Sequence, residues 1–136
     1  AISGRIFSYS ELPSTQSEAK RLLKMGEDTP FTVVADSQTI GKGRFSRKWI
    51  SPSGGTYLSW VIDSARTTGI ASLIAIVMCR TLAKFTDGKI LIKWPNDLMF
   101  NRKKIAGILV EVIGENIIVG VGVNTFPVES SFKYQT

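Results

Sequence analysis

The chain has 136 residues, 43% of them hydrophobic, and carries a formal net charge of +6 from 17 basic against 11 acidic side chains. That suits one packed core rather than two, and the basic surplus favours an anionic partner such as nucleic acid or phosphate. With no histidine and a single cysteine, Cys79, the sequence excludes Ser-His-Asp and Cys-His nucleophiles, imidazole-dependent zinc sites and an intrachain disulfide.

In chain order, Arg5 to Tyr9 reads as a short strand, closed by Pro13. Thr15 and Glu18 have capping-box spacing for a first helix from about Gln16 to Met25, with Gly26 at its C′ position. Phe31 to Ala35 resumes as a strand, and Ser37 to Gly55, with four glycines and no hydrophobic period, reads as a long loop. Thr56 to Asp63 alternates like a strand with both faces partly covered. Gly69 to Phe85 has helical spacing with apolar residues nearly all round, which predicts a helix mostly buried against a sheet, with Cys79 packed as a small hydrophobe. Ile90 to Trp94 is a strand ended by Pro95, Leu98 to Phe100 and Lys104 to Ile113 form a hairpin around Asn101-Arg102, and Ile117 to Val123 is the last strand. The order of elements predicts an α+β architecture, a mixed β-sheet with two main helices on one side. The last strand is apolar and close to the end of the chain, so it is expected as an exposed edge able to pair into a homodimer. No apolar run reaches the roughly 20 residues that span a bilayer and no signal-like segment opens the chain, so a cytoplasmic location without membrane contact is expected.

Chemistry concentrates in three basic segments. Gly41-Lys42-Gly43-Arg44-Phe45-Ser46-Arg47-Lys48-Trp49 holds four cations and no acid, and its glycines let backbone N–H groups approach an anion. The same residues also suit a solvated basic loop, and they match neither a Walker A loop nor a dinucleotide fingerprint. Lys93-Trp94-Pro95-Asn96-Asp97 presents a cation, an amide and a carboxylate at a strand end, a pattern that equally serves an Asx turn. Arg102-Lys103-Lys104 stands at a hairpin; the first two read as solubilising, whereas Lys104 runs into an apolar strand beside Ala106 and Gly107, where a partly desolvated amine neutralises a carboxylate or phosphate oxygen at short range.

The order of these motifs resembles the catalytic domain of biotin protein ligases (biotin–acetyl-CoA-carboxylase ligases). The matching residues are Ser14-Thr15-Gln16, then Gln38 with Gly41-Lys42-Gly43-Arg44 and Arg47-Lys48-Trp49, then Lys93-Trp94-Pro95-Asn96-Asp97, Lys104 to Leu109, and Gly122-Val123-Asn124. The resemblance implies a fold related to class II aminoacyl-tRNA synthetases. It implies that biotin's carboxylate attacks ATP to give biotinyl-AMP, from which biotin passes to a lysine of a biotin carboxyl carrier protein, with Mg²⁺ accompanying the nucleotide. By the match, Ser14, Thr15 and Gln38 bind the ureido ring, and Gly41, Lys42, Gly43 and Arg44 close over biotin and the adenylate phosphate. Lys104, with Gly107 beside it, holds the biotin carboxylate and the α-phosphate. Arg44, Arg47, Trp49, Lys93, Asn96 and Asn124 serve the nucleotide. Asp97 serves Mg²⁺ and the acceptor lysine's proton, so that Lys104, Arg44 and Asp97 form the catalytic group.

The family's loop usually reads GRGRxGR; here Lys42 replaces the first arginine and Phe45-Ser46 the segment before Arg47, which predicts weaker ligand-linked ordering because lysine lacks the planar fork. Residues 1–136 are expected to form an incomplete catalytic domain. With 13 residues before Ser14 and 12 after Asn124, neither the DNA-binding helix-turn-helix nor the C-terminal β-barrel of longer members is expected in residues 1–136. Two other readings remain open at this point: a lipoate-protein ligase, and a nucleic-acid-binding module using Arg44, Arg47, Lys48 and Trp49 as a charge and stacking platform.

Overall fold

The computed structural model describes residues 4–63 and 68–124. In chain order the elements are β1 (Arg5–Leu12), α1 (Thr15–Lys24), β2 (Phe31–Gln38), β3 (Thr56–Asp63), α2 (Ile70–Leu82), β4 (Ile90–Lys93), β5 (Asp97–Phe100), β6 (Lys103–Ile113) and β7 (Asn116–Val123). They build one seven-stranded sheet in the order β1-β2-β3-β7-β6-β5-β4. β1 and β2 run parallel, as a strand–helix–strand unit requires, and every other neighbouring pair is antiparallel. The expected mixed α+β sheet is therefore present. Asn101 and Arg102 turn the β5–β6 hairpin with φ of 50° and 64°, the pair of positive values that a tight two-residue turn needs.

Three expectations are corrected. β7 is not an edge: it pairs with β3 along Thr56–Asp63 and with β6 along Ala106–Ile113, and the sheet's edges are β1 and β4. The partner β3 precedes β7 by a helix and three strands, and no local pattern reports so distant a pairing; the edge argument for a homodimer falls with it. Nor do the two helices share a side. Along β7, Ile118 packs in one cluster with Ala19, Leu22, Phe31, Val33 and Val61, while Ile117 and Val119 pack in another with Ala75, Ile90, Leu98 and Ile108. Successive strand residues point to opposite faces, so α1 covers one face and α2 the other; helical period identifies the apolar stripe of a helix but not the sheet face that receives it. Finally, α2 buries fully only Ala75, and Leu73, Ile76 and Val77 are 58%, 43% and 51% exposed. A helix laid on a sheet covers one stripe of itself, and nothing among the described residues covers the outer stripe. Cys79 packs at the edge of the α2 cluster, its sulfur 3.6 Å from the Ile90 carbonyl oxygen.

Candidate active site

The face that carries α1 also carries a cleft of about 600 Å³, counted to its open mouth. Its upper rim begins at the N-terminus of α1. Ser14 is the cap, its Oγ accepting from the Ser17 N–H at 3.3 Å. The predicted Thr15–Glu18 capping box does not form, because the Thr15 hydroxyl turns into the sheet toward Ser59 and Glu18 turns to Arg21. The Arg21 hydrogen bond holds the Glu18 carboxyl below its ordinary range against the opposing effect of burial, helped by a hydrogen bond with Tyr9. Thr15 N–H donates to Gln38 Oε1 at 2.8 Å, Gln38 Nε2 donates to Ser51 Oγ at 2.8 Å, and Ser51 donates to the Trp49 carbonyl at 3.0 Å.

The long loop is folded rather than open. Bridges join Gln38 to Ser51 and Lys42 to Lys48, and Gly43 N–H donates to the Arg47 carbonyl at 2.7 Å while Trp49 N–H donates to the Gly41 carbonyl at 2.8 Å. Its tip, a single 3-10 turn at Arg44–Ser46, holds Phe45 and Ser46 at φ of 56° and 59°, a left-handed conformation that L residues resist. The Arg44 and Arg47 guanidinium carbons lie 4.8 Å and 5.9 Å from the centroid of the exposed Phe45 ring.

Trp49 leaves the loop inward and is only 8% exposed. Two glycines directly opposite each other, Gly107 on β6 and Gly122 on β7, form the floor beneath it. A Cβ on Gly122 would stand 2.3 Å from Trp49 Nε1, so the indole rests where only hydrogen fits. Gly120 does the same for Gln16, whose Oε1 lies 2.6 Å from the position of a Cβ there. Over the indole sits Lys104, its Nζ 5.2 Å from the ring centroid and 2.9 Å from Asp97 Oδ1. Arg44 reaches in from the loop to place Nη1 3.1 Å from Asn96 Oδ1, and Asn96 is itself pinned to β6 through the Ile108 carbonyl at 2.8 Å. Two cations from distant segments thus end on the consecutive residues Asn96 and Asp97, in one cleft.

Of the predicted site residues, Ser14, Thr15, Gln38, Lys42, Gly43, Arg44, Trp49, Asn96, Asp97, Lys104 and Gly107 line this cleft. Four lie outside its lining. Gly41 packs under Trp49 and Ser51, Arg47 stands over Phe45, Lys93 is exposed on β4 opposite Asp97, and the buried Asn124 accepts from the Tyr57 hydroxyl at 3.1 Å. Sequence reasoning gave no role to Gln16, Leu109 or Gly120, which also line the cleft, nor to Glu111 and Ser59 behind it. Gln16 was present in the Ser-Thr-Gln motif, and glycine at every second position of an apolar strand, Gly120 and Gly122, was the signal for side chains stacked on the strand. Burial pushes the Glu111 carboxyl up, but hydrogen bonds from Lys20 and Gln16, and the charges of Lys20 and Lys42, outweigh it and hold Glu111 below its ordinary range.

Neutral donors and acceptors, three cations and one carboxylate around a glycine floor suit a ligand that joins a polar uncharged group to an anion. Residues 9–124 match the model of the Biotin/lipoate A/B protein ligase family, and the chain belongs to that family. Among individual relatives, the bifunctional ligase/repressor BirA of Escherichia coli strain K12 is 39% identical over 129 residues, covering 86% of this chain and 40% of the relative. The biotin–[acetyl-CoA-carboxylase] ligase of Paracoccus denitrificans is 35% identical over 123 residues, covering 82% and 50%. The structure of the biotin protein ligase of Aquifex aeolicus in complex with biotin and ATP superposes with a TM-score of 0.81 at 30% identity, covering 95% of this chain and 56% of that one. The chain thus spans about half the length of these relatives or less. No described helix is long and apolar enough to cross a membrane.

Proposed function

We propose that this chain carries the biotin-activating core of a biotin protein ligase: it binds biotin and ATP, forms biotinyl-5′-AMP, and passes the biotinyl group to a lysine of a biotin carboxyl carrier protein. The observation that carries this reading is the convergence of Arg44 and Lys104 on Asn96 and Asp97 inside one cleft that also holds Ser14, Thr15 and Gln38. The names of the relatives and the biotin and ATP bound to the Aquifex protein support the same chemistry.

In the first step a carboxylate oxygen of biotin attacks the α-phosphorus of ATP, the bond from that phosphorus to the bridging oxygen breaks, and pyrophosphate leaves. The chain's own contribution is position and charge. Lys104 neutralises the carboxylate as it approaches and the α-phosphate oxygens as charge builds on them, while Arg44 holds the phosphate from the loop side. The neutral side chains of Ser14, Thr15 and Gln38 hold the ureido head. Gly41, Lys42 and Gly43 shape the loop over the ligand, and Arg47, Trp49, Lys93, Asn96 and Asn124 serve the nucleotide. In the second step the carrier amine attacks the acyl carbon, AMP leaves, and the amine's proton passes to Asp97, the one carboxylate among the described residues that line the cleft. Among the described residues no three His, Cys, Asp or Glu side chains gather into a metal site. Asp97 alone suits Mg²⁺ in its common mode of one carboxylate plus substrate phosphates, where the ion supplies charge neutralisation.

The test is to incubate the chain with ATP, Mg²⁺, biotin and a carrier domain. Labelled carrier, or biotinyl-AMP in the absence of carrier, is the expected result. Absence of both together with absence of biotin binding overturns the reading, and competition by lipoate in place of biotin transfers it to the lipoate branch of the family. Lys104→Ala is expected to lower adenylate formation by roughly 10²–10³-fold while weakening biotin binding much less, as calorimetry with biotin and then ATP will register.

A further inference from the structure

Behind the cleft, four side chains form a chain of hydrogen bonds whose direction is fixed at one end. Glu111 on β6 lines no part of the cleft. One of its carboxylate oxygens accepts from Lys20 Nζ at 2.7 Å and the other from Gln16 Nε2 at 2.9 Å. A carboxylate only accepts, so it settles which end of the Gln16 amide is which: the NH₂ faces Glu111 and the oxygen faces away. That oxygen, Oε1, accepts from the buried Ser59 hydroxyl at 2.5 Å. Ser59 has one proton, and it is now committed. The Ser59 and Thr15 oxygens are 2.9 Å apart, so the proton in that contact comes from Thr15. The Thr15 hydroxyl therefore offers the cleft only lone pairs. Its neighbour Ser14 is the reverse case: Ser14 Oγ accepts from Ser17 N–H, and its proton has no acceptor among the described residues.

We propose that Glu111 is a positioning residue that, through Gln16 and Ser59, makes Thr15 an obligate acceptor beside the donor Ser14, so that the cleft selects a head group presenting an N–H next to a carbonyl. The inference rests on the biotin reading above and deepens it: a cyclic urea offers that pair of groups on one edge. Flipping the Gln16 amide would reverse every link, with Ser59 donating to Thr15 and Thr15 donating into the cleft. Gly120 gives the amide its place against the strand, since its missing Cβ is the space that Gln16 fills, and Glu111 sets which end faces which way.

The experiment compares biotin with its two analogues methylated at one or the other ureido nitrogen, by calorimetry on the full chain. In the unsubstituted protein at least one methylation is expected to weaken binding about tenfold or more, because a buried acceptor loses its donor. Glu111→Met removes the acceptor that orients Gln16; it should weaken biotin about tenfold and shrink that analogue's penalty toward none. Lys20→Met leaves the carboxylate that orients Gln16 but removes the cation opposite it, and it should keep most of the discrimination, which separates orientation from simple ion pairing. Ser59→Ala breaks the chain below Glu111 and should also erase the discrimination, so it carries the test if Glu111→Met does not fold. Uniform weakening of all three ligands in both variants, with the ratio preserved, overturns the proposal, as does binding unchanged from the parent. Should the parent protein bind none of the three ligands, the biotin reading fails on its own, and the relay is judged without ligand. Slow hydrogen exchange of the Gln16 side-chain amide in the parent and fast exchange in Glu111→Met then sustain it, whereas fast exchange in the parent overturns it.

Discussion

Strands β6 and β7 are shared by two regions of opposite character. On the α1 face they offer Gly107, Leu109 and Glu111 against Gly120 and Gly122; on the α2 face they offer Ala106, Ile108 and Val110 against Ile117, Val119 and Val121. The first face is a platform on which polar and aromatic side chains from elsewhere are laid and hydrogen-bonded; the second is a branched aliphatic surface covered by one helix whose outer stripe stays exposed. Because side chains alternate along a strand, one stretch of sequence builds both. The lesson is that a glycine at every second position of a strand takes that stretch of one face out of the core and gives it to a site, while Ile118 two residues earlier on the same face stays in the core.

The sharpest way to break this contrast is Gly122→Ala. Its Cβ would collide with the indole of Trp49, and overpacking of this kind costs about 1–3 kcal/mol. Thermal melts should register the loss, together with weaker ATP binding, and a melt at the parent temperature would show that the platform yields. A gain of about 1 kcal/mol is expected from Ser46→Gly, since glycine adopts the φ of 59° found there without strain; chemical denaturation measures it. Acid comes next. Glu18 and Glu111 both have folded values lowered from the ordinary 4.5, so their contribution is full above that pH and is lost as pH falls through the lowered values. Melts across that range should show a declining midpoint, with a flatter decline in Glu111→Gln. The smallest effect is expected on the other side of the sheet. Leu73→Lys, on the exposed stripe of α2, should change stability by no more than about 0.5 kcal/mol, and a large loss would mean that the stripe is covered in solution.

Much of this was readable beforehand, and what was not has a common cause. The strand and helix spans, the Asn101-Arg102 turn and the cationic loop follow from local patterns, and the ordered motifs brought Arg44, Lys104, Asn96 and Asp97 together because each motif is short and contiguous. The inner position of β7 was missed because strand order is a property of distant pairings. The opposite placement of α1 and α2 was missed because helical period does not name the receiving face. Thr15 was assigned to the cap, whereas Ser14 holds it, because two adjacent hydroxyl residues satisfy the same spacing and only Ser59, on another strand, decides between them. Glu111 was invisible for the same reason: in sequence it is one acid in an apolar strand, and its meaning comes from Gln16 and Lys20 across the fold.

The ion pair between Lys104 and Asp97 has one more consequence. The resting molecule already supplies its amine with a carboxylate, so an arriving acid does not meet a bare charge; it takes the place of an internal rival. The heat of that exchange reports the difference between two similar partners, and an Asp97→Asn protein, whose amine has no such tenant, should greet anionic guests more tightly even where it turns them over more slowly.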